Sequence, residues 1–333
     1  MNNSILYFNL PDPAAEKKSR FMKAQMRVGV MLFISFGITV GCGLLLSAAY
    51  SLYPEMSKNE LGDMIVQMMM YLSYMAIPVF TFGLLSGKKV RSYFTLGRGG
   101  GNKVAVFFAA LGFVYFAQLV AAVLSDFLTF SGFGSSQSSA DSPSADAAII
   151  IMRFITIAVL PAIFEELMMR GILLGELLPY GKGFAIVISG VLFGLMHMNV
   201  VQLPFACIAG VAMAFAAVYT GSLRVAMLIH FTNNLISVVL TELPAFIDEE
   251  WAFLIEAALS AFIFLAGIAA VVYLIVNKNK KSDVERKALC VKTDEADKVD
   301  LRQFSLKDVS PVLYAYIAVA SVMAILNLLV TLL

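Results

Sequence analysis

Nine long apolar runs constrain this chain more than any other feature. They fall near 26–50, 62–86, 103–130, 147–174, 183–198, 200–219, 223–243, 251–276 and 310–333. A helix needs roughly 20 apolar residues to cross a bilayer, at about 1.5 Å of rise per residue. The expected fold is therefore all-α: a polytopic transmembrane helical bundle of about eight or nine spans. The run at 183–198 is short, and a partly re-entrant segment would also fit it. Only 14% of the 333 residues are charged and 60% are hydrophobic. Soluble domains carry about 25% charged residues, so lipid must be the main solvent here. A formal net charge of +1 argues against a nucleic-acid partner, which favours a basic face.

The basic residues set the orientation. Cytoplasmic flanks should be rich in Lys and Arg. Lys17, Lys18, Arg20, Lys23 and Arg27 precede the first span, and Lys88, Lys89, Arg91, Arg98 and Lys103 follow the second. Lys182, Arg224 and the basic stretch 278–307 continue the alternation. The other loops are poor in basic residues. Lys58 stands among Glu55, Glu60 and Asp63, the stretch 131–146 is Ser-rich, and 244–250 holds Asp248, Glu249 and Glu250. Nine crossings with a cytoplasmic N-terminus satisfy every loop, as in a multi-pass protein of a bacterial inner membrane. The polar lead of the first span and its long apolar run do not suit a cleaved signal peptide.

Three parts are expected: 1–145 with three spans, 146–243 with the polar groups discussed next, and 244–333 with a charged loop at 277–309. Cys42, Cys207 and Cys290 are scattered, without CxxC spacing, and suggest neither disulfides nor a thiolate metal site. Cys42 and Cys207 read as small core residues. Gly37/Gly41 and Gly190/Gly194 have the small-xxx-small spacing of close helix packing.

Polar residues inside the spans concentrate between 165 and 234. Glu165, Glu166 and Arg170 lie within six residues, and the chain's two histidines, His197 and His230, follow. Each mid-membrane ionisable residue costs at least about 2.5–3.5 kcal/mol on insertion scales. Glu166 and Arg170 are i,i+4 with Glu on the N-terminal side, the favoured order for a pair. Glu165 points about 100° away and is left to face a cavity. His230 and Asn234 share a helix face, and Phe193 puts an aromatic wall beside His197 in the same way. Counting from the inner turn near Gly175–Gly183 places Glu165 about 15 Å and His197 about 21 Å up their helices. From Gly221–Ser222, His230 lies about 12 Å up its own. Three helices can thus gather Glu165, His197, His230 and Asn234 into one buried pocket. Arg153 is near an outer end and is expected to snorkel to the surface, and Glu256 and Asp126 lie near outer ends too.

Glu165-Glu166-xxx-Arg170, Phe193-xxx-His197 and His230-xxx-Asn234, in this order on successive apolar helices, resemble the CPBP family. That family holds the CAAX prenyl proteases and the bacteriocin-processing Abi proteins. All three motifs match, and the resemblance covers about 146–243. It implies an intramembrane endopeptidase acting on a membrane-associated peptide or protein. Glu165 would be the general base, His197 would help position the water, and His230 and Asn234 would stabilise the oxyanion. Glu166 and Arg170 would hold the site's shape. Glu165, His197 and His230 also match the ligand count of a catalytic zinc, on which ground the family is called metalloproteases. A metal-free glutamate-activated water uses the same residues, and HExxH spacing is absent. Two other readings are a non-catalytic immunity or scaffold protein and a proton-coupled transporter. The lack of an internal repeat counts against the transporter.

Overall fold

The computed structural model describes residues 13–94, 102–131, 142–277 and 306–330. These residues contain no strand. Their long helices are α1 (Pro13–Leu52), α2 (Glu60–Ser86) and α3 (Lys103–Phe130), α4 (Ala147–Tyr180), α5 (Lys182–Met196), α6 (Gln202–Thr220), α7 (Leu223–Glu242), α8 (Glu249–Val276) and α9 (Pro311–Val330). Eight are long and apolar enough to cross a membrane, so the chain is a polytopic helical bundle. The exception is α5, whose 15 residues extend about 22 Å against a hydrocarbon core of about 30 Å. This is the run whose shortness stood out in the sequence. Most of 277–309 and of the Ser-rich stretch 131–146, together with Arg98 and Cys290, lies outside the described residues.

Local chemistry sets the helix ends. The Asn59 side chain accepts from the Gly62 N–H at 3.0 Å and opens α2. Asn102 accepts from the Val104 and Ala105 amides, and Asp146 from the Ala148 amide. Such caps satisfy donors that a helix start leaves unpaired. At Gly181 φ is 143°, and at Gly221 it is 64°. Both are backbone conformations that glycine adopts freely, so α4 turns into α5, and α6 into α7, at these points.

The N-terminal basic flank is helical. α1 begins thirteen residues before the apolar run expected at 26 and carries Lys17, Lys18, Arg20, Lys23 and Arg27 on its first turns. Its 40 residues span about 60 Å, twice the hydrocarbon thickness, so this end must project from it.

Close crossings come from glycine. α5 and α6 pack antiparallel, with Gly190 against Val211 and Gly194 against Cys207. A Cβ on Gly190 would lie 2.7 Å from the Val211 nitrogen. Gly112 on α3 and Gly267 on α8 form a second crossing, where a Cβ on Gly112 would lie 2.7 Å from the Gly267 Cα. Gly37 and Gly41 do not behave as the spacing suggests. Nothing among the described residues lies within 4 Å of where their Cβ atoms would be, because they point away from the bundle. Cys207 is half-buried against α5, and Cys42 is also only partly buried.

Two polar clamps hold α4. Arg153 does not snorkel; it is 2% exposed. Nη1 donates to Glu242 at 2.5 Å and to the Ser142 carbonyl at 3.2 Å, and Nη2 donates to Glu60 at 2.9 Å. α2 and α7 bring two carboxylates to this end of α4, so the guanidinium is neutralised inside the bundle. At the other end, buried Glu176 accepts from Arg27, Lys88 and the Tyr93 hydroxyl. Tyr93 lies outside the spans, and burial, reinforced by this bond, pushes its phenol well above the ordinary value.

Candidate active site

The helix that carries the glutamates is not uniform. Phe154–Val159 and Leu167–Leu173 are π-helical, with the α-helical turn Leu160–Glu166 between them. π turns inside α-helices occur frequently at functional sites. α4 also continues past Gly175 to Tyr180. Glu165 therefore sits about 24 Å from the turn at Gly181, level with His197 on its own helix, and not at the 15 Å expected.

A pocket of about 180 Å³ lies among α3, α4, α5, α6 and α7. Glu165, Phe193, His197, His230, Asn233 and Asn234 line it, with apolar walls from Val114, Ile157, Phe205 and Met213. The structure thus brings together the four candidate catalytic residues and Phe193. Glu166 and Arg170 stand behind the pocket, fully buried.

Arg170 Nη1 donates to Glu166 Oε1 at 2.7 Å. The same oxygen meets His230 Nδ1 at 2.9 Å. Arg170 Nη2 donates to the Gly210 carbonyl at 3.2 Å, and its guanidinium carbon lies 4.1 Å from the centroid of the Phe193 ring. Phe193 in turn sets its ring edge-to-face with His197 and His230, at 4.9 and 5.9 Å between centroids. One buried charge pair and one aromatic ring therefore orient both imidazoles.

Partner chemistry fixes how the rings are protonated. His197 Nδ1 lies 2.8 Å from the Phe193 carbonyl oxygen. A carbonyl only accepts, so Nδ1 carries a hydrogen and the neutral ring leaves Nε2 as an acceptor. His230 Nδ1 faces a carboxylate and donates likewise. Its Nε2 lies 4.0 Å from Glu165 Oε2. Met198, directly after His197, has φ 50°. A non-glycine residue there stores strain of order 1–3 kcal/mol, a feature that clusters at functional sites.

Three positions were not legible as site residues. The Tyr71 hydroxyl of α2 donates to Glu165 Oε1 at 3.1 Å. Gln118 of α3 donates to Asn233 Oδ1 at 3.0 Å, and Asn233 donates to Asn234 Oδ1 at 3.0 Å. Asn234 Nδ2 then donates to the Ile157 carbonyl at 2.8 Å. Gln118 stands alone among apolar neighbours and Tyr71 lies beside Ser73 and Tyr74, and neither pattern marks a site.

Donor chemistry here suits zinc in part. Both imidazoles present Nε2 with Nδ1 held by an oxygen, the usual outer-shell arrangement. Spacing does not suit it. Among the described residues no three His, Cys, Asp or Glu side chains converge enough to hold an ion.

No curated protein and no solved structure matches the chain. Residues 147–236 match the family model of type II CAAX prenyl endopeptidase Rce1-like. That segment holds every one of Glu165, Glu166, Arg170, Phe193, His197, His230 and Asn234, and in it the chain is similar to the CAAX prenyl proteases.

Proposed function

We propose that the chain is an intramembrane endopeptidase that hydrolyses a peptide bond of a membrane-associated protein or peptide by a glutamate-activated water. CAAX-type processing and bacteriocin or pheromone maturation are the two substrate classes that fit this reading, in a bacterial inner membrane. The observation that carries it is the 4.0 Å gap between Glu165 Oε2 and His230 Nε2 on the wall of a partly enclosed pocket. A water within hydrogen-bond reach of both groups fits that gap.

Glu165 takes a proton from the water as its oxygen attacks the scissile carbonyl carbon. His197 Nε2 accepts the water's other hydrogen and aims the lone pair. As the carbonyl oxygen becomes an oxyanion, donors from α7 meet it. One is the Asn234 amide hydrogen not used on Ile157. The other is His230, which Glu166 holds from behind through Nδ1 while Nε2 faces the pocket. The C–N bond then breaks, and Glu165 returns its proton to the leaving amine. The apolar walls limit bulk water, which strengthens each of these interactions.

The test is the membrane proteome of a deletion strain complemented with the parent chain, Glu165→Ala or His197→Ala. Both variants insert at normal levels, and precursors cleaved by the parent accumulate uncut. Full cleavage by Glu165→Ala sinks the reading. Restoration of the wild-type phenotype without cleavage assigns an immunity or scaffold role instead.

A further inference from the structure

We infer that Tyr71, on a helix outside the family-matched segment, is a positioning residue that fixes which oxygen of Glu165 faces the attacking water. This rests on the hydrolytic reading above. A glutamate's terminal torsion is broad and roughly two-fold, so an unheld carboxylate samples a range of planes. Among the described residues one hydrogen bond holds Glu165, on one side. Tyr71 Oη donates to Oε1 at 3.1 Å, which leaves Oε2 turned to His230 Nε2 at 4.0 Å.

The sequence of α2 explains how a tyrosine reaches this point. Pro78 lies within α2 and has no N–H. The carbonyl four residues earlier, on Tyr74, therefore lacks its helical donor. Ser35 of α1 supplies the replacement, its hydroxyl donating to the Tyr74 carbonyl at 2.8 Å. α1 thus holds α2 one turn beyond Tyr71. The Tyr74 ring packs edge-on against Tyr71 with 5.1 Å between centroids, which restrains the phenol that reaches Glu165. A proline, a serine on the neighbouring helix and two aromatic rings together aim one hydroxyl at the base.

Orientation of a base acts on the chemical step and not on substrate binding. The test uses the full chain in nanodiscs and an internally quenched peptide ending in a farnesylated C-a-a-X sequence. Tyr71→Phe keeps the ring and removes the donor. The expected result is a fall in kcat of about tenfold or more, the range of a hydrogen bond to a charged group, with KM unchanged. Tyr115→Phe, which removes a buried phenol outside the pocket lining, leaves both constants unchanged. Retention of more than half of kcat by Tyr71→Phe overturns the inference, and so does a rise in KM at constant kcat. If the parent does not cleave the probe, the hydrolytic reading fails for that substrate class, and a second measurement decides the positioning contact. A fluorotyrosine at position 71, read by fluorine NMR, shifts its resonance on Glu165→Gln if the contact holds. An unmoved resonance overturns it.

Discussion

Glu166→Gln removes the charge shared by Arg170 and His230. Glu166 and Arg170 are both completely buried and 2.7 Å apart. Deleting one partner of a buried pair costs about 3–5 kcal/mol, because the other charge is left uncompensated. Arg170 retains the Gly210 carbonyl at 3.2 Å and the Phe193 ring face at 4.1 Å. A desolvated cation–π contact is worth up to about 2 kcal/mol, so the loss falls near the lower end, about 3 kcal/mol. Arg170→Met costs less, because His230 Nδ1 at 2.9 Å still donates a hydrogen bond to Glu166. Glu166→Gln with Arg170→Met leaves no uncompensated charge from the pair and recovers about 2 kcal/mol or more relative to the sum of the singles. Equilibrium unfolding of the full chain in mixed micelles, followed by helical circular dichroism, measures all three. A Glu166→Gln variant within about 0.5 kcal/mol of the parent refutes the reasoning, as does a double variant no more stable than the sum of its singles predicts.

Ser35→Ala leaves the Tyr74 carbonyl without a donor and should cost about 1–3 kcal/mol in the same unfolding assay. Placed on a Pro78→Ala background, where the helical N–H returns, it should cost almost nothing. Gly112→Leu forces α3 away from α8, because the new side chain meets Gly267 backbone. Overpacking of this kind costs about 1–3 kcal/mol, and the paired change Gly267→Leu should not rescue it. Chelator treatment should leave cleavage at the parent rate, and elemental analysis of the purified chain should find zinc well below one ion per chain.

The fold was largely legible because each apolar run had to become a helix. The site's nearest polar pairs were legible too, since helix periodicity alone joins Glu166 to Arg170 and puts Phe193 beside His197. Partners on other helices were hidden. Nothing in the spacing of Arg153 foretells Glu60 and Glu242, which lie on α2 and α7, so a buried clamp read as a snorkelling side chain. Gly37 and Gly41 show the reverse error. Their spacing promised a crossing, but spacing says which residues share a face and not whether another helix covers it. Tyr71 was invisible for a third reason: a phenol in an apolar run resembles any interfacial aromatic until Pro78 and Ser35 are seen to aim it.

The two π turns of α4 act as phase adjusters. A π turn closes over one residue more than an α turn, which in a straight helix would swing everything beyond it by about 100°. One end of α4 is pinned in azimuth by the Arg153 clamp, the other by Glu176. With a π turn on each side, the segment Leu160–Glu166 can take the rotation the pocket needs while neither clamp moves. A one-residue deletion within Phe154–Val159 therefore need not unfold the bundle. It would turn the π turn into an α turn and leave Leu160–Glu166 and the two anchored ends in the same phase.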